Sequence, residues 1–104
     1  TLFGTPGASG ITTARARIVS GPSAFADVRP GELVVCPFTD PAWTPLLSIA
    51  AGVVTEVGGA LSHAAIVARE YGVPVVLGVP EARERITDGD FVTIDGTRGT
   101  VTMH

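Results

Sequence analysis

The stretch 58-GGALSHAAIVAREYGVPVVLGV-79 holds a helix and a strand with their boundaries marked. Ser62 is a preferred helix N-cap, and Gly72 can end the helix in left-handed backbone. The spacing predicts a helix from about Ser62 to Tyr71, anchored by Ile66, Val67 and Tyr71. Ala64, Ala65 and Ala68 are small enough to let it lie close against a sheet. Val75 to Leu77 then reads as a short buried strand.

Working outward, 53-VVTEV-57 and 33-LVVCPF-38 read as further strands. Between them, 39-TDPAWTPLLSIAAG-52 suits a helix capped by Thr39 or Asp40. Pro41 would sit in its first turn, and Gly52 would close it in a left-handed conformation. Thr12 to Val19 alternates apolar and polar residues and predicts a half-buried strand. The segment 4-GTPGASG-10 reads as a turn, and 20-SGPSAFADVRPGE-32 as a connection. Residues 80-PEARERI-86 suit a short helix beginning at Pro80, with Glu81, Arg83, Glu84 and Arg85 on a solvated face. The end, 89–103, reads as two strands joined by an Asp95–Gly96 turn. The expected fold is α/β, with mixed sheets and two to three helices.

Composition narrows the function. The chain has 104 residues, 45% hydrophobic and 16% charged, enough for one domain with a real core. Its net charge is −3 and it has no lysine, so it presents no basic footprint for nucleic acid. No apolar run has the length of a membrane span, and no secretory signal is visible. The single Cys36 cannot form an internal disulfide, suits a reducing cytoplasm, and reads as a buried strand residue. Because the chain begins at Thr1, residues 1–104 read as one domain cut from a longer protein.

The chemistry centres on His63. Gly58 and Gly59 lack Cβ atoms and allow another molecule close to the backbone. A histidine in the first helical turn lies at the positive end of the helix dipole, among unpaired N–H groups. That field disfavours imidazolium and keeps the ring nucleophilic. The same field stabilises a phosphoryl group once the ring carries one. Arg69, six residues on, could fold back toward the glycine turn or reach a phosphate on a partner domain. Thr39 and Asp40 stand where a loop could approach His63, while Trp43 and Pro45 read as packing residues.

Gly58, Gly59, Ser62, His63, Ala65, Ile66, Ala68, Arg69, Gly72 and Pro74 together resemble the signature of the swivelling phosphohistidine domain of PEP-utilising enzymes. That family includes phosphoenolpyruvate synthase, pyruvate phosphate dikinase, enzyme I of the sugar phosphotransferase system and rifampicin phosphotransferase. The segments 6-PGASG-10, 39-TDPAWTPLL-47 and 93-TIDGTRGTVTM-103 share the likeness, so it spans essentially the whole chain. The resemblance implies a β/β/α swivelling fold. It makes His63 the phosphoryl acceptor, usually through Nε2, with Ser62 orienting the imidazole or phosphate. Gly58, Gly59 and Arg69 would be phosphate-binding.

The implied cycle is that of a dikinase-type phosphotransferase. ATP and Mg²⁺ would be held on a separate ATP-grasp domain of the same protein. His63 would take the β-phosphate, with AMP and phosphate released, and the domain would swing to an acceptor-binding domain. The acceptor would be an antibiotic-like hydroxyl or pyruvate. This domain alone would bind no cofactor or metal and would not complete turnover. Many relatives carry threonine two positions before the histidine; Leu61 here looks more like the rifampicin phosphotransferase branch.

Two other functions stay open on the sequence: a non-catalytic interaction or regulatory module retaining the fold, and a carrier charged by phosphoenolpyruvate, as enzyme I is. The plain alternative for His63 is a helix-terminal histidine satisfied by a backbone carbonyl, which the surrounding signature outweighs. His104 reads as exposed and inert or as the start of a tag. Asp88 and Asp90 around Gly89 read as a turn rather than a metal site.

Overall fold

The computed structural model describes residues 1–59 and 62–104. Among them, eight strands form one mixed sheet and three α-helices cover parts of it. The strands are β1 (Leu2–Phe3), β2 (Thr5–Ala8), β3 (Ile11–Ile18), β4 (Leu33–Cys36), β5 (Gly52–Thr55), β6 (Val75–Leu77), β7 (Phe91–Asp95) and β8 (Thr100–Met103). The helices are α1 (Thr44–Ile49), α2 (His63–Tyr71) and α3 (Ala82–Arg85). The sheet order is β1-β8-β7-β3-β4-β5-β6-β2.

β3 belongs to both halves of this sheet. Its first five residues pair antiparallel with β7, from Ile11 opposite Asp95 to Arg15 opposite Phe91. Its last three pair parallel with β4, Ala16 opposite Leu33. β4, β5 and β6 continue the parallel set, joined by crossovers that carry α1 and α2. Buried on both sides, these strands are near-continuous Val/Leu runs, as parallel strands covered on both faces must be.

Alternation along them sorts two cores. Val34, Cys36, Val53, Val75 and Leu77 face the helices, with Leu46, Leu47, Ala64, Ala65 and Ala68 packed against them. Leu33, Val35, Val54 and Val76 face the opposite core, shared with Val92 and Ile94 of β7, Val101 of β8, and Ala82 and Ile86 at α3. The result is the β/β/α arrangement that the resemblance implied.

Several expectations are corrected. Residues Thr5–Ala8 are not a turn but β2, paired antiparallel with β6. Pro6 and Gly7 are tolerated because β2 ends the sheet and its register shifts between Pro6 and Ala8. Gly52 does not close α1: the helix ends at Ile49 with Ala50 extended, and Gly52 opens β5. Its lack of a side chain serves close packing, since a Cβ there would lie 2.6 Å from Ile94 Cδ1.

The hairpin connection is also longer than an Asp95–Gly96 turn. It runs through 96–99 and needs positive φ at Gly99, while Asp95 Oδ1 accepts hydrogen bonds from the Thr97 and Arg98 amides. Pro80 lies before α3, whose N-cap Glu81 takes left-handed backbone. Arg83 is not a solvated residue: its Nε donates to Glu56 Oε1 at 3.0 Å and its Nη1 to Ser20 Oγ at 3.1 Å.

Candidate functional site

α2 begins where its sequence marks it. Ser62 is the N-cap, its hydroxyl accepting from the Ala65 amide at 3.5 Å, and Gly72 ends the helix at φ 70°. His63 is therefore the first helical residue, half-buried, beside the helix end where backbone N–H groups are unpaired. Ala64, Ala65 and Ala68 hold the helix on β6 and β2.

A second element reaches the imidazole. After β4 the chain runs through Pro37, whose carbonyl accepts from the Glu56 and Val57 amides. Asp40 then caps a short 3₁₀ turn, Pro41–Trp43, its Oδ1 accepting from the Ala42 amide at 2.9 Å. Trp43 is buried at the bottom of that turn, edge-on to Phe25 with ring centroids 4.8 Å apart. The residues flanking the turn point at His63. Thr39 Oγ1 lies 3.0 Å from Nδ1, and Thr44 Oγ1 lies 3.3 Å from Nε2.

Among the described residues the imidazole is thus held at both nitrogens by hydroxyls rather than by a backbone carbonyl. The approach of Thr39 follows the sequence reading, but Asp40 spends its carboxylate on the cap. Thr44 was not singled out: it lies 19 residues before His63, and only its place just after the Pro41–Trp43 turn could have drawn attention to it.

The other expected site residues divide. Gly58 adopts φ 122°, a conformation that favours glycine, and it sits beside Ser62. Among the described residues nothing lies within 4 Å of the position a Gly59 Cβ would take. Ser62 caps α2 with its oxygen as acceptor, which leaves its O–H able to donate. Arg69 is not brought to His63. It lies six residues along α2, about 9 Å of axial rise away, and its Nε donates to the Gly7 carbonyl of β2 at 2.8 Å. Leu61 lies outside the described residues.

The remaining chemistry near the site is quiet. Cys36, three residues before Thr39, is buried. Burial, with a smaller push from the charge of Glu56, raises its thiol to about 12, so it stays protonated. No group of three His, Cys, Asp or Glu side chains among the described residues could hold a metal ion. Asp88 and Asp90 accept from the Ile18 and Thr87 amides and shape a turn. His104 Nε2 meets Thr93 Oγ1 at 2.7 Å on the exposed face of the hairpin. No helix among the described residues is long and apolar enough to cross a membrane.

Residues 28–99 match the family model described as "PEP-utilising enzyme, mobile domain". The chain is 46% identical over 102 residues to the phosphotransferase YvkC of Bacillus subtilis, covering 98% of this chain and 12% of that protein. It is 46% identical over 100 residues to the rifampicin phosphotransferase of Streptomyces sviceus, covering 96% of this chain and 11% of that one. Among solved structures, an enzyme I fragment superposes with a TM-score of 0.66 at 30% identity, over 77% of this chain and 33% of that one. The chain therefore spans about an eighth or less of the length of these two curated relatives, which carry other regions besides it.

Proposed function

The chain belongs to the mobile-domain family of PEP-utilising enzymes, and from that premise we propose that it carries a phosphoryl group on His63 between other domains of a longer protein. The observation that carries this reading is the placement of His63. Its ring stands at the first turn of α2, beside the glycine turn, and among the described residues two hydroxyls hold it. A nucleophile so placed is accessible, and the charge it acquires meets the positive helix end.

In the full cycle an ATP-grasp domain binds ATP with Mg²⁺ and presents the β-phosphate in line with the imidazole. Attack at the β-phosphorus displaces AMP, water then cleaves off the γ-phosphate as inorganic phosphate, and the domain with the phosphoryl group left on His63 moves to a small-molecule acceptor, an antibiotic-like hydroxyl or pyruvate. The part played by this chain is positioning and charge stabilisation. Gly58 and Gly59 let the phosphate approach the backbone, and Ser62 fixes the helix end that faces it.

The test is incubation of the full-length protein with ATP labelled at the β- or γ-phosphate. Acid-labile, base-stable label from the β-position should appear on the protein and vanish in His63→Ala. Label taken only from phosphoenolpyruvate would replace ATP as donor. No label from either donor, with an active nucleotide domain, would overturn the carrier role.

A further inference from the structure

We propose that Phe38, Val57 and Ile66 form an apolar docking collar beside His63. Its occupant is a nucleotide-binding domain of the same longer protein, with an apolar centre and lysine or arginine at its edge. The proposal rests on the carrier role of His63 and adds which side chains a donor domain grips.

The three side chains stand in solvent: Phe38 is 53% exposed, Val57 58% and Ile66 48%. Scattered exposed apolar residues are ordinary, whereas a contiguous group marks an interaction site. Phe38 adjoins Thr39, whose hydroxyl meets the imidazole. Val57 lies against the same loop, its amide donating to the Pro37 carbonyl, and leads into the glycine turn at Gly58. Ile66 is one turn along α2 from His63, the spacing that places two side chains on one helix face. The sequence suggests Ile66 as an anchor of α2. In the structure Ala64, Ala65 and Ala68 do that packing and Ile66 points away from it.

The neighbouring charges set the sign of the partner. Asp40, beside Thr39, and Glu70, one turn beyond Ile66, are both exposed. Arg69 is committed to β2 through the Gly7 carbonyl. A phosphoryl group on His63 adds more negative charge to this face. A partner approaching it must bring cations, and a domain that holds a nucleoside triphosphate is built with them. Three side chains are few anchors, which suits a contact made and released in each cycle.

The test uses the full-length protein. Phe38→Ser and Ile66→Ser should each slow uptake from β-labelled ATP about tenfold, the effect of losing one interface anchor. Labelling of His63 by phosphoramidate, a small phosphoryl donor that needs no docked domain, should be unchanged. Tyr71→Ser and Phe91→Ser, at exposed positions outside the collar, should alter neither rate. Docking is read directly with Val57→Cys. When a non-hydrolysable ATP analogue and Mg²⁺ are added, iodoacetamide should alkylate the introduced thiol about fivefold more slowly. The thiol introduced by Tyr71→Cys should react as before. Normal uptake in Phe38→Ser and Ile66→Ser, a parallel loss of labelling by phosphoramidate, or an unprotected thiol in Val57→Cys would overturn the proposal. So would a wild-type dimer in sedimentation equilibrium that these variants dissociate, because the collar would then belong to a second copy. If the wild-type protein takes no label, the carrier role fails by itself, and protection in Val57→Cys still decides the collar.

Discussion

The two faces of β4, β5 and β6 are equally dry but finished differently. On the helix face the fillers are small and the polar work is done by hydroxyls: Ala64, Ala65 and Ala68 against the sheet, Thr39 and Thr44 on the imidazole. On the other face the residues are tied by charge and by close glycine packing. Among the described residues, the ion pairs Arg17–Glu32, Arg17–Asp88, Arg83–Glu56, Arg85–Glu81 and Arg98–Asp95 all lie at β3, α3 or the hairpin and the turn before it, and none involves α2 or the Thr39–Thr44 segment. The difference separates two tasks. The hairpin side holds the molecule together, and the helix side holds one ring in place with contacts that can be exchanged.

The largest expected effect lies on the hairpin side. A Cβ at Gly96 would run into the Ala8 carbonyl, between β7 and the far end of the sheet. Gly96→Ala should therefore cost about 3 kcal/mol, the upper end of ordinary overpacking, in urea unfolding. Phosphoryl uptake by the fraction still folded should be unchanged. Lost uptake in fully folded protein would show that the two faces are coupled.

On the helix side, Ala65 is fully buried beneath α2. Ala65→Leu should cost about 2 kcal/mol and, unlike Gly96→Ala, should slow uptake in the folded state by lifting His63 from Thr39 and Thr44. Equal stability loss with normal uptake would mean that α2 does not set the position of the ring.

The smallest effect is electrostatic. Burial alone would raise the Glu32 carboxyl, but the Arg17 guanidinium and the Arg29 amide, with the charges of both arginines, outweigh it and hold the group below its ordinary value of 4.5. The folded state thus prefers the carboxylate. Its contribution is complete above the unfolded value and is lost as pH falls through the folded one. Glu32→Gln should flatten the loss of stability below about pH 4.5 and leave phosphoryl uptake unaffected.

What could be read beforehand follows from which forces are local. The cap at Ser62, the left-handed stop at Gly72 and the all-apolar strands β4 and β6 each depend on a few neighbouring residues, so the sequence displays them. β2 was hidden because Pro6 and Gly7 signal a turn, and only the place of that strand at the end of the sheet makes them acceptable. Gly52 misled for a related reason. A glycine past a helix suggests a left-handed stop, whereas here Ile94, far along the chain, leaves no room for a side chain. At the site, His63 was legible from its own segment and Thr39 from its loop. Thr44 reaches the ring only through the 3₁₀ turn that Asp40 caps and Trp43 anchors.

The ends of the sheet carry one more consequence. β1 has only two residues, and β2 combines Pro6 with a register shift, so neither end offers a long straight row of free N–H and C=O groups. Such blunted edges resist recruiting strands from other chains. A strand of another chain therefore finds no ready template at either end, which guards the domain against self-association and against seeding aggregates.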